Sequence, residues 1–327
     1  MFFNKYTEEE KIGISRQIKN YSLEACNADL GKLEQGVING VSTIKPLSLV
    51  GNKFVEYFTL PELLNTRSKQ GISFYDFWYN RSFYMDRDDS TRRMIEYIKK
   101  EKPLLNEIQR AKKVFNMYYG SINVFRPATA CRLYERFKPT CVLDFTMGWG
   151  GRLVGAYCSR VPKYIGIDNN ERLKLPLEKM KDSLTSRNEG MNDNTFTDNA
   201  FTKFELLNKD CLTVDYSRYE YDMVFTSPPY YNKELYGSEG VARTEEEWDT
   251  QFYAPIFRST WTHLLKGGHY CLNIPTPLYE KICVPMLGEA TERIELNKFS
   301  RTIPKRETVR KNVGNKYKEY IYVWVKE

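Results

Sequence analysis

Three apolar runs in succession close on an aspartate, and that repetition restricts the fold more than any other feature. Val142-Leu143 ends in Asp144, Tyr164 to Ile167 ends in Asp168, and Phe204 to Lys209 runs on to Asp210. A fourth apolar run, Tyr221 to Phe225, leads into Ser227-Pro228-Pro229-Tyr230. Two consecutive prolines cannot continue a sheet ladder or sit in a helix interior, so the chain must leave that strand abruptly. The turn sets a serine and an aromatic ring at the carboxyl edge of the sheet, where open α/β folds place their ligands. A polar group beside a π-face suits a flat heterocycle bearing an exocyclic amine. Each aspartate alone reads equally well as a cap on the next helix, and the tetrapeptide alone as an ordinary loop. Three acids and the proline turn on four successive strands are hard to ascribe to capping.

The first strand opens into Phe145-Thr146-Met147-Gly148-Trp149-Gly150-Gly151-Arg152, with a helix expected over Leu153 to Ser159. Glycines there let the backbone approach a ligand, and a new helix offers unpaired N–H groups. The spacing lacks the third glycine of the dinucleotide fingerprint and the Gly-Lys-Ser/Thr of a P-loop, which disfavours a phosphate cradle. Asp144 suits a ligand carrying an ammonium instead. Asp168 follows it at about the offset at which an acid grips ribose hydroxyls in Rossmann-type folds.

On these residues, the run from about Phe125 to Tyr231 resembles the cofactor and catalytic half of a class I S-adenosylmethionine-dependent methyltransferase. More narrowly, it is similar to the DNA amino-methyltransferases of the cytosine-N4 and adenine-N6 type. The resemblance implies an α/β, Rossmann-like fold with a mostly parallel seven-stranded sheet and a C-terminal antiparallel hairpin. A mainly helical extension, 1–120, for target recognition or support, would precede the catalytic domain, 121–327. It also implies a cofactor, S-adenosylmethionine. Asp144, Phe145, Gly148 and Gly150 would wrap its methionine part, Asp168 its ribose, and Asp210 its adenine amine, with Cys211 beside the ring. Phe125, in Phe125-Arg126-Pro127, would close over it. Two positions depart from the family pattern: Phe145 stands where proline is usual, and Thr146 where an aromatic is usual.

The catalytic group implied is Ser227, Pro228, Pro229 and Tyr230. Hydrogen bonds from the amine to the Ser227 side chain and the Pro228 carbonyl would localise its lone pair, with Tyr230 stacked on a base swung out of its duplex. The expected substrate is DNA, and serine at the head of the motif favours the cytosine amine over the adenine amine. Two alternatives stay open: an RNA base amino-methyltransferase, and a non-catalytic methyltransferase-fold subunit that binds nucleic acid.

The 327 residues carry a net charge of +7, which permits a nucleic-acid partner without requiring one. Seven scattered cysteines, without C-x-x-C, and two histidines suggest no metal site. The first residues lead into Glu8-Glu9-Glu10 rather than an apolar segment, and no run is long enough to span a bilayer, so an intracellular setting is expected. Charge is concentrated between 298 and 318. There Lys305, Arg306, Arg310 and Lys311 are expected to contact phosphates from the tip of a hairpin formed by Arg293–Phe299 and Tyr317–Val325. The polar stretch Asn232 to Glu247 is expected either to close over the base or to stay mobile until DNA binds. Trp248 to Leu265 has helical spacing, Lys266-Gly267-Gly268 reads as a turn, and Tyr270 to Ile274 as a strand. Toward the N-terminus, Thr7 and Glu10 form a capping-box pattern, and Ser90 to Val114 reads as mostly helical. The aromatic cluster Phe74 to Tyr84 suits either base stacking or a core, the core being favoured. Ser186 to Thr202 is expected to be an insertion loop.

Overall fold

The computed structural model describes residues 3–45, 48–68, 70–87, 89–120, 122–189, 201–231, 234–235, 243–296 and 319–327. Its centre is a seven-stranded sheet: β1 Cys141–Asp144, β2 Lys163–Asp168, β3 Lys203–Asn208, β4 Tyr221–Thr226, β5 Leu264–Ile274, β6 Glu292–Leu296 and β7 Glu319–Val325. The spatial order is β3-β2-β1-β4-β5-β7-β6. The five central and leading strands are parallel, and β7 runs antiparallel between β5 and β6. Strand order reverses between β1 and β4, and in such sheets the crevice for a ligand opens there, at the carboxyl ends.

Successive residues of β1 alternate between the two faces, as the pleat requires. Val142 joins one apolar cluster and Leu143 the other. The second cluster packs Leu143, Ile165, Val224 and Leu272 against Phe257 and Ile256 of α11, Ala254–His263. The first is larger. It contains Val142, Leu153 and Met223 together with Leu30, Phe54, Phe74 and Phe115 from the N-terminal helices.

Those helices are α1 Glu8–Ile18, α2 Leu23–Ile38, α3 Asn52–Asn65, α4 Phe74–Tyr79, α5 Arg81–Arg87, α6 Asp89–Glu101 and α7 Glu107–Tyr118. The Thr7–Glu10 capping box forms and opens α1. The aromatic stretch is mostly core: Phe74, Tyr75, Phe77 and Tyr84 are buried, whereas Tyr79 and Phe83 reach the surface. The expected single helix over Ser90 to Val114 is two. Pro103 lacks an N–H and disfavours helical backbone at Lys102, so α6 stops at Glu101 and Asn106 caps α7 anew.

Four further expectations differ in detail. The helix after the glycine turn, α9, spans Gly151–Cys158 rather than Leu153 to Ser159. β3 ends at Asn208, where its register with β2 ends opposite Asp168, so Asp210 lies beyond the strand. Lys266-Gly267-Gly268 does not end a turn before β5 but bulges within it. The Gly267 N–H donates to the Lys326 carbonyl, and the Lys326 N–H to the Gly268 carbonyl, which keeps the segment in the ladder. The helix α10 continues to Glu189 from Glu171, into the segment expected to be loop. The hairpin of β6 and β7 forms as expected, whereas Lys305, Arg306, Arg310 and Lys311 lie outside the described residues. So does most of Asn232 to Glu247.

Candidate active site

The glycine turn after β1 is built on a buried ion pair. Arg152, 3% exposed, donates through Nε and Nη2 to the Asp144 carboxylate at 2.7 and 3.0 Å, and Asp144 is fully buried. Tyr164 and Thr226 donate their hydroxyls to the same carboxylate at 2.6 and 2.8 Å. Four donors therefore occupy the two oxygens of Asp144, the residue expected to meet a ligand's ammonium. Burial works against the Arg152 charge, but the adjacent carboxylate outweighs it and raises the guanidinium above its usual range. Arg152 also donates to the Thr146 carbonyl at 2.6 Å, so the pair holds the turn's backbone.

Thr146, one of the two departures from the family pattern, lies 2.6 Å from Thr226 hydroxyl to hydroxyl. Thr226 gives its proton to Asp144, so it accepts from Thr146. Through this chain the glycine turn is joined to the residue that precedes Ser227. Phe145, the other departure, is fully buried and packs near Phe257 of α11.

The glycines divide their work. A Cβ at Gly148 would meet only the Thr146 carbonyl, at 4.0 Å, so that position faces open space. A Cβ at Gly150 would lie 2.9 Å from Met180 Sδ and 3.0 Å from Leu177 Cδ2, so Gly150 seats the turn on α10. Gly151 admits the segment that precedes α8, Pro127–Phe137: a Cβ there would fall 1.8 Å from the Phe125 carbonyl. Phe125 then packs its ring on the edge of Phe225 and beneath the Arg152 guanidinium.

Beside this turn a cavity of about 270 Å³ opens at the carboxyl ends of β2 and β3. Met147 and Leu177 give it apolar surface, and Asp168, Asn170, Asn208 and Lys209 give it polar groups. Asp168 accepts from the amides of Gly148 and Asn170, both at 2.9 Å, which ties the cavity to the glycine turn. Burial pushes its carboxyl above the usual range, against the pull of those two amides. Asp210 and Cys211 do not line this cavity. Asp210 accepts from the Leu212 amide and caps a short 3₁₀ turn, the alternative reading of that acid. Cys211 is buried in the second apolar cluster, and burial pushes its thiol up to about 12.

The Ser-Pro-Pro-Tyr turn closes β4, across the crevice from the cavity. Ser227 Oγ and the Tyr230 hydroxyl lie 3.0 Å apart, and both face Asn273 at the end of β5. Tyr253 holds the turn from below, donating to the Pro229 carbonyl at 2.6 Å and accepting from the Tyr231 amide at 2.9 Å. That grip places Tyr231 in the left-handed region, φ 52°, which bulky side chains rarely enter. The Tyr231 hydroxyl donates in turn to the buried Asp249.

Arg152, Asn170, Asn208, Thr226, Asn273 and Tyr253 were not singled out in the sequence. Asn273 had a signal: it is the one polar side chain in the run Tyr270 to Ile274, and a buried polar group in a strand needs a partner.

The strand order, with a glycine turn closing β1 and the proline turn closing β4, defines a Rossmann-like class I methyltransferase fold. No family model matches the chain, and no curated protein matches it. Among solved structures it is similar to TrmN from Thermus thermophilus, with 14% identity over 68% of this chain and 67% of that one, at a TM-score of 0.39. It is also similar to an rRNA methylase from Streptococcus thermophilus (12% identity, 63% and 100% covered, TM-score 0.37). A SAM-dependent O-methyltransferase from Thermotoga maritima stands at a similar distance (13% identity, 65% and 71% covered, TM-score 0.35). At that distance none of them speaks to the substrate of this chain. Among the described residues, no helix is long and apolar enough to cross a membrane, and no group of histidine, cysteine and acidic residues is arranged to hold a metal.

Proposed function

We propose that the chain is an S-adenosylmethionine-dependent methyltransferase acting on the exocyclic amine of a nucleic-acid base, with DNA as substrate and cytosine N4 as the favoured target. The observation that carries this reading is the pair of half-buried hydroxyls of Ser227 and Tyr230, held 3.0 Å apart at the carboxyl end of β4 beside the glycine turn of β1. The cavity suits the cofactor's nucleoside: Asp168 and Asn170 offer polar groups for the ribose, Asn208 and Lys209 for the base edge, and Met147 and Leu177 an apolar seat. Gly148 faces open space at the turn, where the methionine part would lie. When bound, the cofactor supplies an electrophilic methyl group.

What the chain does is hold and orient the amine. Such an amine is a poor nucleophile because its lone pair is delocalised into the ring. Ser227 Oγ and the Pro228 carbonyl accept its hydrogen bonds and localise that pair. Tyr230 and Tyr253 keep the turn from shifting, and positioning of this kind supplies most of the acceleration. The basic segment with Lys305, Arg306, Arg310 and Lys311 is the proposed phosphate contact. Residues 1–120 are the proposed support for the site and 121–327 the catalytic domain.

The test is transfer of labelled methyl from S-adenosylmethionine to unmethylated DNA and to RNA, followed by digestion and mass analysis of the nucleosides. N4-methylcytosine in DNA is the expected product. Label in RNA alone would move the substrate assignment, and no label from protein that binds the cofactor would overturn the reading.

A further inference from the structure

Asn273 is 2% exposed and sits one residue before the end of β5. Its Nδ2 donates to the Tyr320 carbonyl of β7 at 3.0 Å. That bond fixes the amide's orientation, so Oδ1 must face the Ser-Pro-Pro-Tyr turn. Ser227 Oγ lies 3.2 Å from Oδ1, and the Tyr230 hydroxyl lies 3.0 Å from Oδ1 and 2.8 Å from the Asn273 main-chain carbonyl. An amide Oδ1 and a main-chain carbonyl can only accept. The Ser227 hydroxyl carries one proton, and Asn273 Oδ1 is placed to accept it. What Ser227 Oγ can still offer to a ligand is a lone pair.

We infer that Asn273 is a positioning residue that fixes Ser227 as a hydrogen-bond acceptor and so selects a substrate group that donates an N–H. A base edge presenting a carbonyl or a bare ring nitrogen at that point meets lone pair against lone pair. This inference rests on the function proposed above and adds to it the residue that keeps Ser227 in the accepting role. Hydrogen-bond sites discriminate strongly, because a mismatched edge leaves buried polar groups unpaired.

Two variants in the full chain test it. In Asn273→Asp, a protonated carboxyl reproduces the amide, its O–H donating to the Tyr320 carbonyl and its C=O accepting from the hydroxyls, whereas the ionised form sets a lone-pair oxygen against that carbonyl and loses its hold. Burial raises the pKa of such a carboxyl into an accessible range. At saturating S-adenosylmethionine, methyl transfer by Asn273→Asp relative to wild type should therefore fall as pH rises through the value of that carboxyl. Asn273→Ala should lose about 10²–10³-fold in kcat, the scale of one preorganised group, with KM little changed. Melting temperature and S-adenosylmethionine affinity show that both variants fold.

A second readout needs no turnover. Compared with wild type at the same pH, hydrogen exchange at the Ser227, Tyr230 and Tyr231 amides should quicken in Asn273→Ala and return toward wild type in Asn273→Asp at low pH. A pH-independent Asp variant would overturn the acceptor assignment. Equal exchange in all three proteins would overturn the positioning role. If the wild type methylates neither DNA nor RNA, the proposed function fails, and the exchange data decide the role of Asn273 alone.

Discussion

Asp144 shows how a residue can be found in the sequence for one reason and hold its place for another. Its position after an apolar strand marked it, but its four in-chain donors were invisible, because Arg152, Tyr164 and Thr226 come from three different elements. An ion pair with both partners almost wholly buried is costly to break, since the survivor keeps an uncompensated charge. Asp144→Ala should lower unfolding stability by about 3–5 kcal/mol, read from urea titration, and weaken S-adenosylmethionine binding through collapse of the turn. A loss below about 1 kcal/mol, the scale of an exposed pair, would contradict the burial described.

Asp168 makes the opposite case, an acid expected at a ligand that lies on the wall of the cavity. Burial raises its carboxyl above the usual aspartate range, so the fold binds that proton more tightly than the unfolded chain does. Its contribution to stability is therefore full below the unfolded value and is lost as pH rises through the folded one. Ligand binding should move the other way, because only the ionised carboxylate accepts fully from two hydroxyls. S-adenosylmethionine affinity should fall as pH drops through the raised value, and Asp168→Asn should flatten that dependence in calorimetric titrations at several pH values.

At the scale of elements, the parallel strands and the C-terminal hairpin were legible because apolar runs bounded by acids, glycines and prolines admit few alternatives. The ends were not. β3 stops at Asn208 for reasons of register with its neighbour, and the bulge in β5 depends on pairing with Lys326 at the far end of the chain. The glycine turn shows the same limit, since spacing cannot say which missing Cβ faces a ligand and which faces a helix. The two should separate by mutation. Gly150→Ala drives a methyl group against Met180 and Leu177 at a φ of +81° and should cost about 1–3 kcal/mol of stability, as overpacking does. Gly148→Ala meets open space, so apart from the strain of its φ of +53°, its main effect should be on cofactor affinity. Thermal melts beside calorimetry distinguish them, and equal loss of stability in both would refute the division.

At the scale of the whole molecule, the least legible part was the N-terminal third, because an amphipathic helix announces an apolar face but not what covers it. Here the cover is the methyltransferase sheet itself. One apolar cluster runs from Leu30 and Phe54 through Leu153 to Met223 and Cys271. Polar contacts follow the same route: the Asn170 amide, on the cavity wall, donates to Glu62 of α3 at 3.3 Å. The backbone of Arg67–Ser68 pairs antiparallel with Glu234–Leu235, the segment that follows the proline turn. The helices thus brace both ends of the crevice. Chains that share one core unfold together, and two buried thiols report on its two halves. Cys26 lies on α2 and Cys271 on β5, and both are fully buried and unpaired. In urea, pulsed thiol labelling of Cys26 and of Cys271 should follow one transition, coincident with loss of helical circular dichroism. Labelling of Cys26 at distinctly lower urea would make the helices a separate unit, and their place beside the crevice would then be a docking rather than a fold.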